Sequence, residues 1–223
     1  MNFKKNIAII PARGGSKRLP NKNIKDLDGI PLLVYSINYA LANTAIVSDV
    51  YVSTDSEAIK KVALKYGAKV IDRPKELSGD LEPTLSTLEH ALSIVNDVDN
   101  IILLQPTNPL RPVNLLNEAY TTFVKNKVES VFTVSKHHKK LGKLKGNKFV
   151  PFNYTIGQRS QDLEHLYYEN GLLYITSTQL IKNGMIFNEN SYPIIVNHKF
   201  AEIDIDTQED FDFAEFILNR YNE

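Results

Sequence analysis

The chain has 223 residues, enough for one large α/β domain and short for two complete ones. Charge is balanced at 26 basic against 26 acidic residues, which disfavours a protein that grips nucleic acid by counterion release. Cysteine is absent, and with it go disulfides, thiol catalysis and cysteine-ligated metal centres. Met1-Asn2-Phe3-Lys4-Lys5 shows no Arg-rich or apolar leader, and no stretch approaches the roughly 20 apolar residues of a membrane span. The expectation is a soluble domain of cytoplasmic type, with neither nucleic acid nor membrane as partner.

In chain order, Ile7–Ile10 is a short apolar run stopped by Pro11. Val50–Ser53, Lys69–Ile71, Ile101–Leu104 and Ser130–Val134 follow as further runs of strand length. Near-continuous apolar runs of this kind suit strands buried on both faces of a parallel sheet. Between them the period becomes helical. Leu33, Ile37, Ala40 and Leu41 share one face; so do Ile59, Val62, Ala63 and Tyr66. Leu85, Leu88, Leu92 and Val95 make a third face, and Leu116, Ala119, Tyr120 and Phe123 a fourth. Asp55 and Pro83-Thr84 read as helix starts. This alternation predicts an open, mostly parallel sheet with helices on both faces, whose ligands bind beyond the carboxyl ends of the strands.

The pattern breaks at 136–148, where six lysines and two glycines read as a solvated loop or hairpin. Residues 149–200 are rich in Tyr, Phe and Asn, with short strand signals at Leu172–Ile175 and Pro193–Val196. Residues 136–200 are expected to form a small inserted lobe on a single domain spanning 1–223. A last helix is predicted over 207–221, with Phe211, Ala214, Ile217, Leu218 and Tyr221 inward.

Three segments carry chemistry. The first strand feeds Pro11-Ala12-Arg13-Gly14-Gly15-Ser16-Lys17-Arg18, with Lys22-Asn23 close behind. Paired glycines permit a sharp turn and close backbone approach to an anion, while Arg13, Lys17, Arg18, Lys22 and Ser16 suit a polyphosphate. The glycine spacing fits neither a Walker A loop nor a dinucleotide fingerprint. The second segment, Gln105 to Arg111, contains two prolines and makes a stiff loop that can hold Gln105 towards the cleft, or use it to cap a backbone group. The third is Asp204-Ile205-Asp206-Thr207. In an extended chain, residues two apart face the same side, so two carboxylates can converge on Mg²⁺. Alternatively Asp206 or Thr207 only caps the last helix. The histidines show no metal-ligand spacing.

Taken together these segments closely resemble the CMP-sialic acid synthetases, the acylneuraminate cytidylyltransferases. The similarity runs from Ile9–Lys17, Leu19-Pro20 and Lys22–Ile24 through Ser53-Thr54-Asp55, Arg73-Pro74 and Glu76-Leu77 to Gln105–Arg111. It closes with Asn170-Gly171, Tyr174 and Ile203–Thr207. The resemblance implies a Rossmann-like nucleotidyltransferase fold and a homodimer in which the inserted lobe of one subunit borders its partner's active site. It implies CTP contacts at Ala12, Arg13, Gly14, Gly15, Ser16, Lys22, Asn23, Arg73 and Thr84, and sugar-acid contacts at Gln105, Tyr174 and Arg159. Arg13, Lys22, Asp204 and Asp206 would be catalytic, the two aspartates holding Mg²⁺ or another divalent cation such as Mn²⁺. Ser160 and Tyr168 stand where the family often carries arginine, on the sugar side. A sialic acid or an analogue such as legionaminic acid is the substrate implied, with CTP, and the product a CMP-sugar. Rival readings are another sugar nucleotidyltransferase, a glycosyltransferase with an Asp-x-Asp pair, or a non-catalytic nucleotide-binding subunit.

Overall fold

A computed structural model describes residues 4–221; Met1, Asn2 and Phe3, part of the segment read for a leader, lie outside them. The elements in chain order begin with β1 (Asn6–Pro11), a two-residue hairpin pair β2 (Asp26–Leu27) and β3 (Ile30–Pro31), and α1 (Leu32–Leu41). Next come β4 (Asp49–Thr54), α2 (Glu57–Lys65), β5 (Lys69–Asp72), α3 (Thr84–Ile94), β6 (Asn100–Leu103), α4 (Leu115–Asn126) and β7 (Ser130–His137). The remainder is β8 (Gly142–Lys145), β9 (Lys148–Pro151), β10 (Leu166–Ser177), α5 (Thr178–Lys182), β11 (Tyr192–Ile195) and α6 (Gln208–Arg220). Among the described residues the central sheet has seven strands in the order β11-β7-β10-β6-β1-β4-β5. All its pairings are parallel except the two made by β10. Among the described residues no helix is long and apolar enough to cross a membrane.

Both faces of the sheet are covered, which is why its strands read as unbroken apolar runs. Alternation along β1 divides them: Ala8 and Ile10 join the core under α1, α2 and α4, whereas Ile7 and Ile9 join the core under α3 and α5. A third cluster seats α6, through Phe211, Ala214 and Ile217, on Leu19, Leu27 and Leu32. Thr207 is the N-cap of α6 in a reciprocal capping box with Asp210. Capping by Asp206 is therefore not needed, and Tyr221, expected inward, is exposed. The expected start of the second helix also moves: Ser56 occupies the N-cap position, and Asp55 lies one residue earlier.

The 136–200 segment divides. Residues 166–177 and 192–195 are strands of the central sheet, β10 lying antiparallel between β6 and β7. The β8–β9 hairpin stands apart from it, and Leu144 there is 78% exposed, with Phe149 and Phe152 also exposed.

Candidate active site

The carboxyl ends of β1, β4, β5 and β6 point the same way, and the segments that follow β1, β5 and β6 enclose a cavity of about 480 Å³. Arg13, Ser16, Lys17, Arg18, Lys22 and Asn23 line one side of it. Arg73, Asp80, Thr84 and Thr87 line another, and Gln105 and Asp206 also reach it.

The first loop is held by its neighbours before any substrate is considered. Ala12 N–H donates to the Ser53 carbonyl at 2.9 Å, and Gly14 N–H donates to Asp55 Oδ1 at 2.8 Å. A Cβ at Gly14 would come 2.9 Å from Ser56 Cβ, so glycine is required there by the approach of α2. Neither Ala12, Gly14 nor Gly15 lines the cavity, and the charge on its wall comes from side chains. Asn23 Nδ2 donates to the Arg13 carbonyl at 3.0 Å, fixing the loop from below.

The cations are paired in two sets. Arg13 Nη1 lies 2.7 Å from Asp80 Oδ1, and Lys17 pairs with Asp80 Oδ2. Lys17, then Arg13, hold the Asp80 carboxyl below the usual carboxylate range. Arg18 and Lys22 meet Asp206 at 2.7 and 2.9 Å, and Lys22 also donates to the Ile205 carbonyl at 2.7 Å. Arg73 differs from all four. It is 8% exposed, donates only from Nη1 to Thr87 Oγ1 at 2.7 Å, and leaves Nε and Nη2 without a partner. Burial pulls its pKa below the ordinary guanidinium value. A buried guanidinium with two unsatisfied nitrogens is costly on its own, and a phosphate or carbonyl oxygen would complete it.

A second cavity of about 300 Å³ adjoins the first and shares Gln105 with it. Tyr168, Glu169, Tyr174 and Asp204 line it. Tyr174 donates its hydroxyl to Glu169 Oε2 at 2.9 Å, and burial, reinforced by that carboxylate, raises the phenol pKa. Asp204 sits open at the mouth, yet the protein crowding it raises its carboxyl above the ordinary value. That effect outweighs a hydrogen bond from Thr107, and the nearby charge of Asp206 adds to it.

Three segments meet beneath this second cavity. Buried Asn108 Nδ2 donates to the Asn170 carbonyl at 3.0 Å and to the Ile203 carbonyl at 2.8 Å. Buried Arg111 donates to the carbonyls of Leu172 at 2.6 Å and Gln105 at 2.9 Å, and burial lowers its pKa to about 10. Asn108 and Arg111 thus tie the Gln105 loop to the middle of β10 and to the strand-like segment carrying Asp204. Gly171 lies at the crossing with φ +73, and a Cβ there would approach Asn108 Oδ1 to 2.5 Å. Gly171→Ala is expected to cost about 3 kcal/mol from left-handed strain and overpacking together, read as a lowered urea midpoint. An unchanged midpoint would mean that the crossing yields freely.

The structure thus brings together Arg13, Ser16, Lys22, Asn23, Arg73, Thr84, Gln105 and Asp206 in one cavity and Gln105, Tyr174 and Asp204 in the next. Arg159 joins neither; it is exposed and forms a two-point pair with Asp162 at 2.7 and 3.0 Å. Asp80, Asn108 and Arg111 were not singled out from sequence, although the last two lie inside the proline loop that was.

The cytidylyltransferase family model matches residues 7–221. The chain is 36% identical over 224 residues to a pseudaminic acid cytidylyltransferase of Campylobacter jejuni, covering 96% of both chains. It is 34% identical over 229 residues to the CMP-N,N'-diacetyllegionaminic acid synthase of Legionella pneumophila, covering 95% of both. Against the N-acylneuraminate cytidylyltransferase of Streptococcus agalactiae it is 34% identical over 214 residues, or 93% of this chain and 52% of that protein. In fold it is similar to a CMP:2-keto-3-deoxy-manno-octonic acid synthetase complexed with CTP, with a TM-score of 0.71 at 18% identity over 97% of this chain and 99% of the other.

Proposed function

This chain belongs to the cytidylyltransferase family, and from that membership we propose that it transfers the cytidylyl group of CTP to the anomeric hydroxyl of a nine-carbon 2-keto sugar acid, releasing pyrophosphate. It is a CTP-dependent nucleotidyltransferase of the kind that makes CMP-sugars. The observation that carries the finer reading is the pair of adjoining cavities. One is walled by cations and the half-satisfied Arg73, the other by hydrogen-bonding groups, and Gln105 stands between them.

CTP enters the first cavity, its triphosphate along Arg13, Lys17, Arg18 and Lys22 and its nucleoside end towards Arg73 and Thr84. The sugar acid enters the second, oriented by Gln105 and Tyr174. The hydroxyl then attacks the α-phosphorus in line with departing pyrophosphate. The hydroxyl proton is lost, and Lys22 and Arg13 stabilise the leaving charge. Positioning and charge neutralisation supply most of the acceleration.

The donor set suits a divalent cation. Asp206 lines the first cavity and Asp204 the second, so two hard oxygen donors flank the junction where the α-phosphate and the hydroxyl must meet. Among the described residues no third carboxylate or histidine joins them, which fits Mg²⁺, an ion that keeps water and phosphate oxygens as its other ligands. Held there, Mg²⁺ or Mn²⁺ would withdraw charge from the phosphates. Arg18 and Lys22 would then turn from Asp206 to the triphosphate.

The exposed apolar side chains of the β8–β9 hairpin support a homodimer built through that lobe. Pyrophosphate release, measured with CTP and sialic, legionaminic, pseudaminic and eight-carbon acids in parallel, tests the activity. Magnesium-dependent turnover with at least one nine-carbon acid is expected, and its absence with all of them would end the proposal.

A further inference from the structure

Transfer to a hydroxyl leaves one proton to be placed, and the groups around the junction differ in their capacity to take it. The cations of the first cavity cannot, and among the described residues no histidine lines either cavity. Tyr174 is excluded as well, because burial, and then the neighbouring Glu169 carboxylate, raise its phenol pKa and keep it a donor. Among the described residues three carboxylates line the sugar cavity: Glu169, Glu202 and Asp204. Glu202 is paired with Lys199 at 3.1 Å, and Asp204 is the group offered to the divalent cation. Glu169 has no ion-pair partner among the described residues, and the one hydrogen bond to its carboxylate there is donated by Tyr174 to Oε2.

That bond needs an irregular strand. Glu169 pairs with Val134 and Tyr174 with Phe132, so five positions along β10 face two along β7. In a regular strand, residues five apart point to opposite faces and stand about 17 Å apart. The bulge around Gly171 takes up the extra length and brings the two side chains to 2.9 Å. Buried Asn170 pins the bulge, accepting from Thr133 Oγ1 at 2.5 Å and donating to Ser135 Oγ at 2.9 Å. The Tyr174 hydroxyl feels the charge of both Glu169 and Asp204, so these two carboxylates share one corner of the sugar cavity.

We propose that Glu169 is the general base of the transfer, its carboxylate aimed by the β-bulge and held by the Tyr174 hydroxyl to face the anomeric hydroxyl of the sugar acid. As the anomeric oxygen bonds to the α-phosphorus, the bond from that phosphorus to pyrophosphate breaks and the hydroxyl proton passes to Glu169. The residue is exposed, so water takes the proton from it afterwards. This role rests on the nine-carbon acid reading above and specifies how the attacking hydroxyl is activated.

The test is the single-turnover rate of CMP-sugar formation with CTP, Mg²⁺ and a nine-carbon acid that the wild type uses, so that product release does not mask the chemical step. Glu169→Gln and Glu169→Ala should each slow that step about a hundredfold, with the affinities for CTP and the acid within about threefold of wild type. Formate in solution should restore about tenfold to Glu169→Ala and nothing to the wild type, because a small carboxylate replaces a missing base and not a missing orientation. Rates within about threefold of wild type in both variants, or a slow Glu169→Ala that formate leaves slow, would overturn the base. No turnover by the wild type with any nine-carbon acid would instead overturn the activity on which it rests, and the base with it.

Discussion

Asp206→Asn and Asp204→Asn are each expected to lower kcat about a hundredfold or more while leaving the protein folded. An amide keeps the size and one acceptor of the carboxylate but removes the charge a hard divalent ion requires. Loss of one preorganised electrostatic contact of this kind costs about 3 kcal/mol of transition-state stabilisation. The helix cap is not at stake, because Thr207 and Asp210 cap α6 and the Asp206 carboxylate faces Lys22 and Arg18 instead. Thermal melting should therefore stay close to wild type in both variants. The two should differ in metal dependence. At Asp206 the metal must compete with Arg18 and Lys22, so Asp206→Asn should respond more to added Mg²⁺. Wild-type rates in both variants at limiting Mg²⁺ would reduce the pair to surface charge.

Arg73→Met should separate binding from stability. The guanidinium is buried with two nitrogens unsatisfied, so replacing it with an apolar chain of similar length removes a desolvation penalty from the fold. The free protein should gain about 1 kcal/mol, a rise of roughly 3 °C in Tm for a chain of this size. CTP binding should weaken about a hundredfold, because a charge-assisted contact in a buried pocket is worth roughly 2–3 kcal/mol. Calorimetric titration with CTP and melting of the free protein supply the two measurements. A lower Tm with unchanged CTP affinity would make Arg73 an ordinary structural residue.

The parallel half of the sheet was legible because its central strands are buried on both faces and mostly apolar, with helical periodicity between strands. In the other half Ser130–Val134, Leu172–Ile175 and Pro193–Val196 were legible as strand signals, but the start of β10 was not. The first half of β10, Leu166–Asn170, is written with Tyr-Tyr-Glu-Asn because those side chains line cavities or bury polar atoms against partners. Buried Asn170, for instance, donates to Ser135 and accepts from Thr133. Its pairing with β7 comes from backbone geometry, which leaves no apolar signature. Residues that line the two cavities were readable wherever charge was concentrated, as in the first loop and the Asp204–Asp206 pair. It was unreadable where a residue acts through a distant segment. Asn108 reaches across 62 and 95 residues to its two carbonyls, and Asp80 meets Arg13 only because the loop after β5 folds back over the cavity. Arg159 lines neither cavity of its own chain, and its acidic partner Asp162 stands three residues on, a spacing visible in the sequence.

Arg13 and Lys17 share Asp80, and Arg18 and Lys22 share Asp206, so on the proposed reading the four cations that would meet the triphosphate each already face an anion. Nucleotide capture is then an ion exchange rather than the filling of a naked positive well. Each phosphate oxygen that arrives displaces a carboxylate, and the carboxylate stays tethered within reach. When pyrophosphate forms, Asp80 is the nearest competitor for Arg13 and Lys17, and its return is expected to shorten the product's residence. On that reading a chain with no net charge serves a strongly anionic substrate by exchange, its selectivity set by which anion sits better among the four paired cations.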